Sequence, residues 1–345
     1  MKVFRGFHHP ELAPACALTI GNFDGVHRGH QAMLALLRNE AAHRGVPSCV
    51  MTFEPHPRDY FAKALNKPEL APARIATLRD KLLELERCGV DQVVVVPFDA
   101  RLASQSPQAF IEEVLVSGLG VRYVLVGDDF RFGAKRAGDY AMLDEAGQKL
   151  GFDVARMNSY EVRGLRVSSS AVRQALGEAR MQDVAALLGR PYSISGHVVH
   201  GRKLGRELGA TQEGAGDGFR TLNLRFSHWK PAASGIFNVE VHGLTPQPLP
   251  GVANLGIRPS LDPNDVNGGR VLLETHVLDW PAALEGEGGY GKIIRVDLLH
   301  KLHDELQYDG LDALTKGIAK DCDDARAWFA SRHGETHRQT TRDRI

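Results

Sequence analysis

The sequence predicts two folds in series: a parallel α/β sheet domain, then an antiparallel β domain finished by a helix. Residues 17–188 alternate short apolar runs with amphipathic segments, the pattern of a parallel sheet covered on both faces. After Gly189-Arg190-Pro191 the runs become strand-like and are separated by Gly, Pro and Asn, as in an antiparallel barrel or sandwich. The chain has 345 residues, well beyond the usual domain length, so two cores fit better than one.

In the first part, residues 17–20, 48–53, 92–96 and 122–127 read as buried strands. Residues 30–44, 78–88, 107–119 and 139–150 carry helical periodicity between them. In the second part, residues 197–200, 221–226, 236–241, 271–278 and 293–299 read as strands. Residues 311–330 read as one closing helix with apolar positions 311, 314, 318, 325 and 328. The domains expected are residues 1–188 and 189–332, followed by a polar, frayed tail over 333–345.

Lys+Arg and Asp+Glu number 42 each, so no global basic field exists to attract nucleic acid or anionic lipid, and neither is expected as a partner. Cys16, Cys49, Cys88 and Cys322 form no C-x-x-C pair and read as buried thiols in a reducing compartment. The N-terminus lacks a continuous apolar segment with a cleavage site, and no later run has the length of a membrane span. A cytoplasmic protein is expected; homo-oligomerisation is left open.

The densest motif is Gly21-Asn22-Phe23-Asp24-Gly25-Val26-His27-Arg28-Gly29-His30. It follows a strand and opens a helix, where an open parallel sheet binds ligands. Gly21, Gly25 and Gly29 admit close backbone approach, and the helix start offers N–H donors and a positive dipole end. His27 and His30, three apart, can face the same phosphates and stabilise charge during attack at the α-phosphorus. A polar turn or a metal pair is the alternative, although only Asp24 lies nearby as a further ligand.

These residues resemble the H-x-G-H nucleotidyltransferase superfamily and match in full the G-x-F-D-G-x-H-x-G-H pattern of its FAD-synthetase branch. Thr52-Phe53-Glu54-Pro55-His56-Pro57 is similar to the branch's T-F-x-P-H-P. Val126-Gly127-Asp128-Asp129-Phe130-Arg131-Phe132-Gly133 is similar to G-x-D-F-x-F-G, and Val167-Ser168-Ser169-Ser170-Ala171-Val172-Arg173 to I-S-S-T/S-x-I-R. The resemblance implies a Rossmann-like domain with His27 and His30 as catalytic residues. It implies ATP contacts at Gly21, Phe23, Gly25, Gly29, Ser168, Ser169, Ser170 and Arg173. It also implies flavin contacts at Asp24, Pro55, Asp129, Phe130 and Phe132. On the residues alone, Ser168–Ser170 read sooner as a helix cap and residues 127–133 as a plain loop, and Phe130 and Phe132 serve also as core.

Bacterial FAD synthetases of this type carry a C-terminal six-stranded riboflavin kinase barrel, and the second part answers to it. His200-Gly201-Arg202-Lys203-Leu204-Gly205-Arg206 is similar to the kinase's H-G-x-x-x-G-R, which implies ATP contacts at Gly201, Lys203, Gly205 and Arg206. Gly251-Val252-Ala253-Asn254-Leu255-Gly256-Ile257-Arg258-Pro259-Ser260 is similar to G-V-A-N-I-G-x-R-P-T. Leu273-Glu274-Thr275-His276-Val277-Leu278-Asp279 is similar to the E-x-H-x-x-D strand, making Glu274 the implied base; a solvated strand carboxylate is the alternative. The family's P-T-A-N stands here as Arg220-Thr221-Leu222-Asn223, after an insertion around residues 209–217. By resemblance Thr221 and Asn223 contact ATP and hold Mg²⁺, a hard cation suited to oxygen donors. The family's L-R-x-E stands as Leu302-His303-Asp304-Glu305, with a group that can lose its charge near neutral pH.

The expectation is therefore a riboflavin kinase joined to an FMN adenylyltransferase, taking ATP, riboflavin and FMN as substrates and Mg²⁺ as cofactor. A single-activity nucleotidyltransferase with a non-catalytic barrel is the alternative.

Overall fold

A computed structural model describes residues 1–162, 164–199, 219–225, 230–257, 271–281, 284 and 289–342. The chain forms two compact units. One comprises Met1–Pro72, Leu78–Val172 and Leu187–Gly189, the other Ala73–Thr77, Arg173–Ala186 and Arg190–Ile345.

The first unit is built on a parallel sheet of β1 (Lys2–Arg5), β2 (Cys16–Ile20), β3 (Ser48–Glu54), β4 (Gln92–Pro97), β5 (Val121–Gly127) and β6 (Asp153–Met157). Their order is β1-β4-β3-β2-β5-β6, every pairing parallel. The four inner strands are those read from the sequence. The outer two escaped it because an edge strand needs no apolar run: only Phe4 is buried in β1, and no residue of β6 is fully buried.

Helices α1 (Arg28–His43), α2 (Pro57–Ala64), α3 (Leu78–Arg87), α4 (Ala100–Ser104), α5 (Pro107–Ala109) and α6 (Tyr140–Leu150) run between the strands. Alternate strand residues serve opposite faces. Leu18, Met51, Val94 and Val124 pack with Ile111, Leu115 and Leu143. Val50, Val93 and Val95 pack with Leu34 and Leu85, and Ala17 and Leu125 with Leu37 and Ala41. Residues 107–119 are not the single α-helix expected. After α5 the chain runs as a π-helix over Phe110–Gly118, and the Leu119 amide donates to the Val114 carbonyl. The reason lies in the apolar spacing: Phe110, Val114, Leu115 and Leu119 recur every four to five residues, and the wider turn turns all of them into the core.

A short antiparallel pair, β7 (Glu161–Val162) and β8 (Leu165–Arg166), then α7 (Ser169–Gly177) and α8 (Met181–Leu188) follow in the chain. The second unit is a closed barrel, settling the choice between barrel and sandwich. Its strands are β9 (Tyr192–Val199), β10 (Thr221–Arg225), β11 (Gly235–His242), β12 (Leu249–Ile257), β13 (Val271–Val277) and β14 (Ile293–His303), in the order β10-β13-β12-β11-β14-β9. The closing helix α9 spans Leu311–Arg342, so the stretch read as a frayed tail is helical through Arg342. Its buried stripe is Cys322, Ala325 and Phe329, flanked by Ile318 and Trp328. Leu311, counted in the apolar set from the sequence, is 61% exposed, because it starts the helix beyond the reach of that stripe. All four cysteines are free; Cys16, Cys49 and Cys322 are buried as expected, but Cys88, just past the end of α3, is only half-buried. Among the described residues no helix is long and apolar enough to cross a membrane.

Candidate active sites

The loop from β2 to α1 is folded by its apolar residues. Phe23 and Val26 take left-handed backbone (φ 47° and 39°), as does Gly25 at 87°. That conformation costs a side-chain-bearing residue about 1–2 kcal/mol. Phe23 and Val26 are 1% and 0% exposed in the cluster with Leu34 and Val50, and burying each stabilises by about 1.5–3 kcal/mol, enough to offset the strain. The loop is thus nailed down at the carboxyl end of β2. β5 is the neighbour of β2 on the side away from β3, so the chain order reverses between β2 and β5, where open α/β sheets bind ligands.

His27 caps α1, its Nδ1 accepting the His30 amide at 3.3 Å. That lone pair is therefore used, and a neutral His27 ring carries its proton on Nε2. The His27 and His30 rings stack at 3.7 Å and 12°, with Phe23 tilted against His30 at 4.8 Å. His30 Nδ1 and Asn22 Oδ1 are buried without a hydrogen-bond partner among the described residues, which leaves both free for a ligand. Burial, then the neighbouring His27 and Lys81, holds the His30 pKa well below the usual 6.5, so the ring is neutral at pH 7. Gly29 lies close under this pair: a Cβ there would sit 3.2 Å from His27 Nδ1 and 3.5 Å from the Val167 carbonyl.

Of the serines, Ser169 Oγ donates to the Asp24 carbonyl (2.9 Å) and so ties the start of α7 to the loop, while Ser168 Oγ accepts the Ala171 amide as a cap. Ser170 is exposed. Arg173, four residues past Ser169 and grouped with the second unit, donates Nε to the Ala73 carbonyl at 2.7 Å. Asp24 is buried. Pro55, at the end of β3, and Asp129, after β5, are exposed, so both stand at carboxyl ends of sheet strands. Phe130 and Phe132 stack at 5.5 Å; Phe132 is buried against Phe110 in the core, and Phe130 is half-buried on it.

Lys81 escaped the sequence reading. It is fully buried, and its Nζ donates to Thr52 Oγ1 (3.2 Å), which donates in turn to the Asn22 carbonyl (3.3 Å). The available signal was a lysine among Leu78, Leu82 and Leu85 on the apolar face of α3, where a charge is unexpected without a task.

In the barrel, register does what sequence distance hides. Glu274 on β13 stands directly between Asn223 on β10 and Asn254 on β12, and His276 between Thr221 and Val252. Side chains of paired residues share a face, so Thr221, Asn223, Asn254 and Glu274 converge. Asn223 Nδ2 donates to Thr221 Oγ1 at 3.4 Å and to its carbonyl at 3.3 Å. Asn223 Oδ1 and Asn254 Oδ1 are buried without a partner among the described residues. His276 donates Nδ1–H to the Arg220 carbonyl (2.8 Å) and so anchors the turn into β10; its pKa is lowered, mainly by burial. Asn254, part of a motif quoted above, is the functional candidate the sequence reading left unassigned. Leu222, standing where the family pattern has Ala, is 3% exposed and serves the core. Gly201, Lys203, Gly205 and Arg206 lie outside the described residues.

Both units match known families. Residues 9–171 match FAD synthetase and residues 188–329 match riboflavin kinase. The bifunctional riboflavin kinase/FMN adenylyltransferase of Escherichia coli (strain K12) is 45% identical over 331 residues, 95% of this chain and 98% of its own length. The chain belongs to the bifunctional riboflavin kinase/FMN adenylyltransferase family. The proteins so described from Pseudomonas fluorescens and Haemophilus influenzae are 42% and 40% identical, each over 96% of this chain. A solved structure described as a macrolide-efflux protein from Streptococcus pneumoniae superposes with a TM-score of 0.66 at 22% identity, over 95% of this chain and 98% of that one, and shows the fold alone. As a member of its family the chain is an enzyme with both activities, the FAD synthetase part N-terminal and the riboflavin kinase part C-terminal.

Proposed function

We propose the following assignment of residues to the two activities. In the N-terminal part, residues 1–188, His27 and His30 serve the adenylyl transfer, because their stacked rings stand at a helix N-terminus with an unsatisfied His30 nitrogen. An oxygen of the FMN phosphate attacks the α-phosphorus of ATP, the α–β bridging bond breaks, and pyrophosphate leaves. His27 Nε2–H, His30 and the amides of the first turn supply donors where negative charge builds up. Gly21, Phe23, Gly25, Gly29, Ser168, Ser169, Ser170 and Arg173 belong to the ATP side. Asp24, Pro55, Asp129, Phe130 and Phe132 belong to the flavin side, with the half-buried Phe130 offering the open ring face.

In the C-terminal part, residues 189–332, Glu274 takes the proton from the ribityl hydroxyl as that oxygen attacks the γ-phosphorus of ATP, the β–γ bridging bond breaks and ADP leaves. The carrying observation is its place between Asn223 and Asn254, both with buried amide oxygens that have no partner among the described residues. Thr221 Oγ1 and the Asn223 amide oxygen, the latter buried with no partner among the described residues, are the oxygen donors that would hold Mg²⁺. When bound there the ion supplies charge neutralisation to the transferring phosphoryl group. Gly201, Lys203, Gly205 and Arg206 complete the ATP contacts. Four free cysteines favour a cytoplasmic, reducing location.

Incubation of the protein with riboflavin, ATP and Mg²⁺, with flavins resolved by chromatography, tests the assignment when repeated on single-site variants. Loss of FMN and FAD together from a variant of either site would defeat the division of labour.

A further inference from the structure

His303 closes β14, paired with Ile236 of β11, and its ring makes two hydrogen bonds: Nε2 to Asp321 Oδ1 at 2.8 Å and Nδ1 to the Asp304 carbonyl at 2.7 Å. A carboxylate and a carbonyl both only accept. Both ring nitrogens must therefore be donors, and only the imidazolium has two. A neutral ring keeps one bond and turns a lone pair on the other acceptor. The geometry is that of the charged ring.

What this joint holds is the segment 304–310. At its far end Tyr308 lies on α9 so closely that a Cβ at Gly317 would collide with its hydroxyl, and just after His303 the Glu305 carboxylate lies on β12 where a Cβ at Gly256 would collide with it. Gly256 is two residues from Asn254, whose register partner is Glu274. Asp321, Glu305 and Glu274 are thus linked through one short segment and one strand.

We propose that His303 is a positioning residue for riboflavin phosphorylation: as an imidazolium bridging Asp321 and the Asp304 carbonyl it holds Glu305 against β12, and its deprotonation loosens that hold and slows FMN formation. The inference rests on the assignment of the kinase site to β10, β12 and β13.

The surroundings favour the charged ring. Asp321 and Lys320 face it from α9, and the Asp304 carbonyl from the segment itself, while the Tyr308 hydroxyl acts on Asp321 and Lys320. On β14, Lys301 is bound to the Asp304 carboxylate at 2.5 Å. Burial alone lowers the His303 pKa, but the bonds to Asp321 and the Asp304 carbonyl outweigh it, and the value lies above the usual 6.5. A raised folded-state pKa means that the joint's contribution is complete below 6.5 and is lost as pH rises through the folded-state value.

The test is the pH profile of FMN formation from riboflavin by the full chain, with FAD formation from supplied FMN measured on the same samples. The native enzyme should lose about tenfold in kcat/KM for riboflavin through one ionisation above 6.5, the effect of one charge-assisted hydrogen bond. His303→Gln should stay at the slow level throughout, and His303→Arg should keep the fast level across the range. FAD formation should follow none of these changes. Superimposable native and His303→Gln profiles, or a parallel change in FAD formation, would overturn the proposal. Should His303→Gln fail to fold, a nitrogen-15 NMR titration of the native ring decides: two protonated nitrogens below pH 6.5 that give way to one only above it support the proposal, and a ring already singly protonated below 6.5 refutes it. Undiminished FMN formation by Glu274→Gln would instead refute the site assignment and leave the His303 titration unaffected.

Discussion

The imidazoles of His27 and His30 lie ring on ring at the first turn of α1, 3.7 Å between centroids and 12° between planes. Stacking places two polar rings over one helix N-terminus, and the His27 ring is fixed as well by the His30 amide on its Nδ1.

Replacing His30 by Ala should cut FAD formation from FMN by about a hundredfold or more, the usual effect of removing one donor to developing charge. FMN formation from riboflavin should be unaffected. Chromatographic flavin analysis reads both, and an equal fall in the two products would contradict the assignment.

The depressed pKa of His30 makes stability depend on pH. The folded protein favours the neutral ring, so this contribution is complete above 6.5 and is lost as pH falls from there through the folded-state value. Melting temperature should therefore decline below pH 6.5, and His30→Gln should remove part of that decline. Lys81→Met should raise the His30 pKa, measured by NMR titration, because a cation that opposes its protonation is gone.

Gly29→Ala puts a methyl 3.2 Å from His27 Nδ1 and should displace that ring, lowering FAD formation about tenfold while FMN formation persists. Gly177→Ala is the control, since nothing lies within 4 Å of its added methyl and an alanine in a helix is worth about 0.5–1 kcal/mol over glycine. Its melting temperature should hold or rise. A Gly29→Ala enzyme with native FAD formation would show that the close fit under His27 is not needed.

Glu274→Ala should reverse the His30 pattern, abolishing FMN formation while FAD still forms from supplied FMN. Asn223→Ala should lower FMN formation and raise the Mg²⁺ concentration needed for half-maximal rate. An unchanged Mg²⁺ dependence would remove Asn223 from the metal site.

Leu222→Ala restores the residue of the family pattern but empties a core position that is 3% exposed. It should destabilise by about 2–4 kcal/mol in urea unfolding, as large-to-small core changes do. A more stable or faster enzyme would show that Leu222 perturbs the site and does not support it.

The sequence carried the inner strands β2 to β5 because each is an apolar run, and it carried the adenylyl loop because its chemistry is contiguous from Gly21 to His30. It missed the edge strands β1 and β6, whose residues have only one neighbour strand and so little to bury. It misread 107–119 because helical periodicity alone does not separate an α-turn from a wider one.

By itself, then, the sequence determined the two fold classes, their order, and the residue types of both sites, since apolar period and local motif are written along the chain. Tertiary structure alone decided that His30 is neutral, that Lys81 stands beside it, that Glu274 is set between two asparagines whose amide oxygens have no partner among the described residues, and that His303 reaches Asp321. Each of these depends on which distant segments become neighbours, and on the burial that follows, which shifts protonation and exposes a missing hydrogen-bond partner only once the chain is packed.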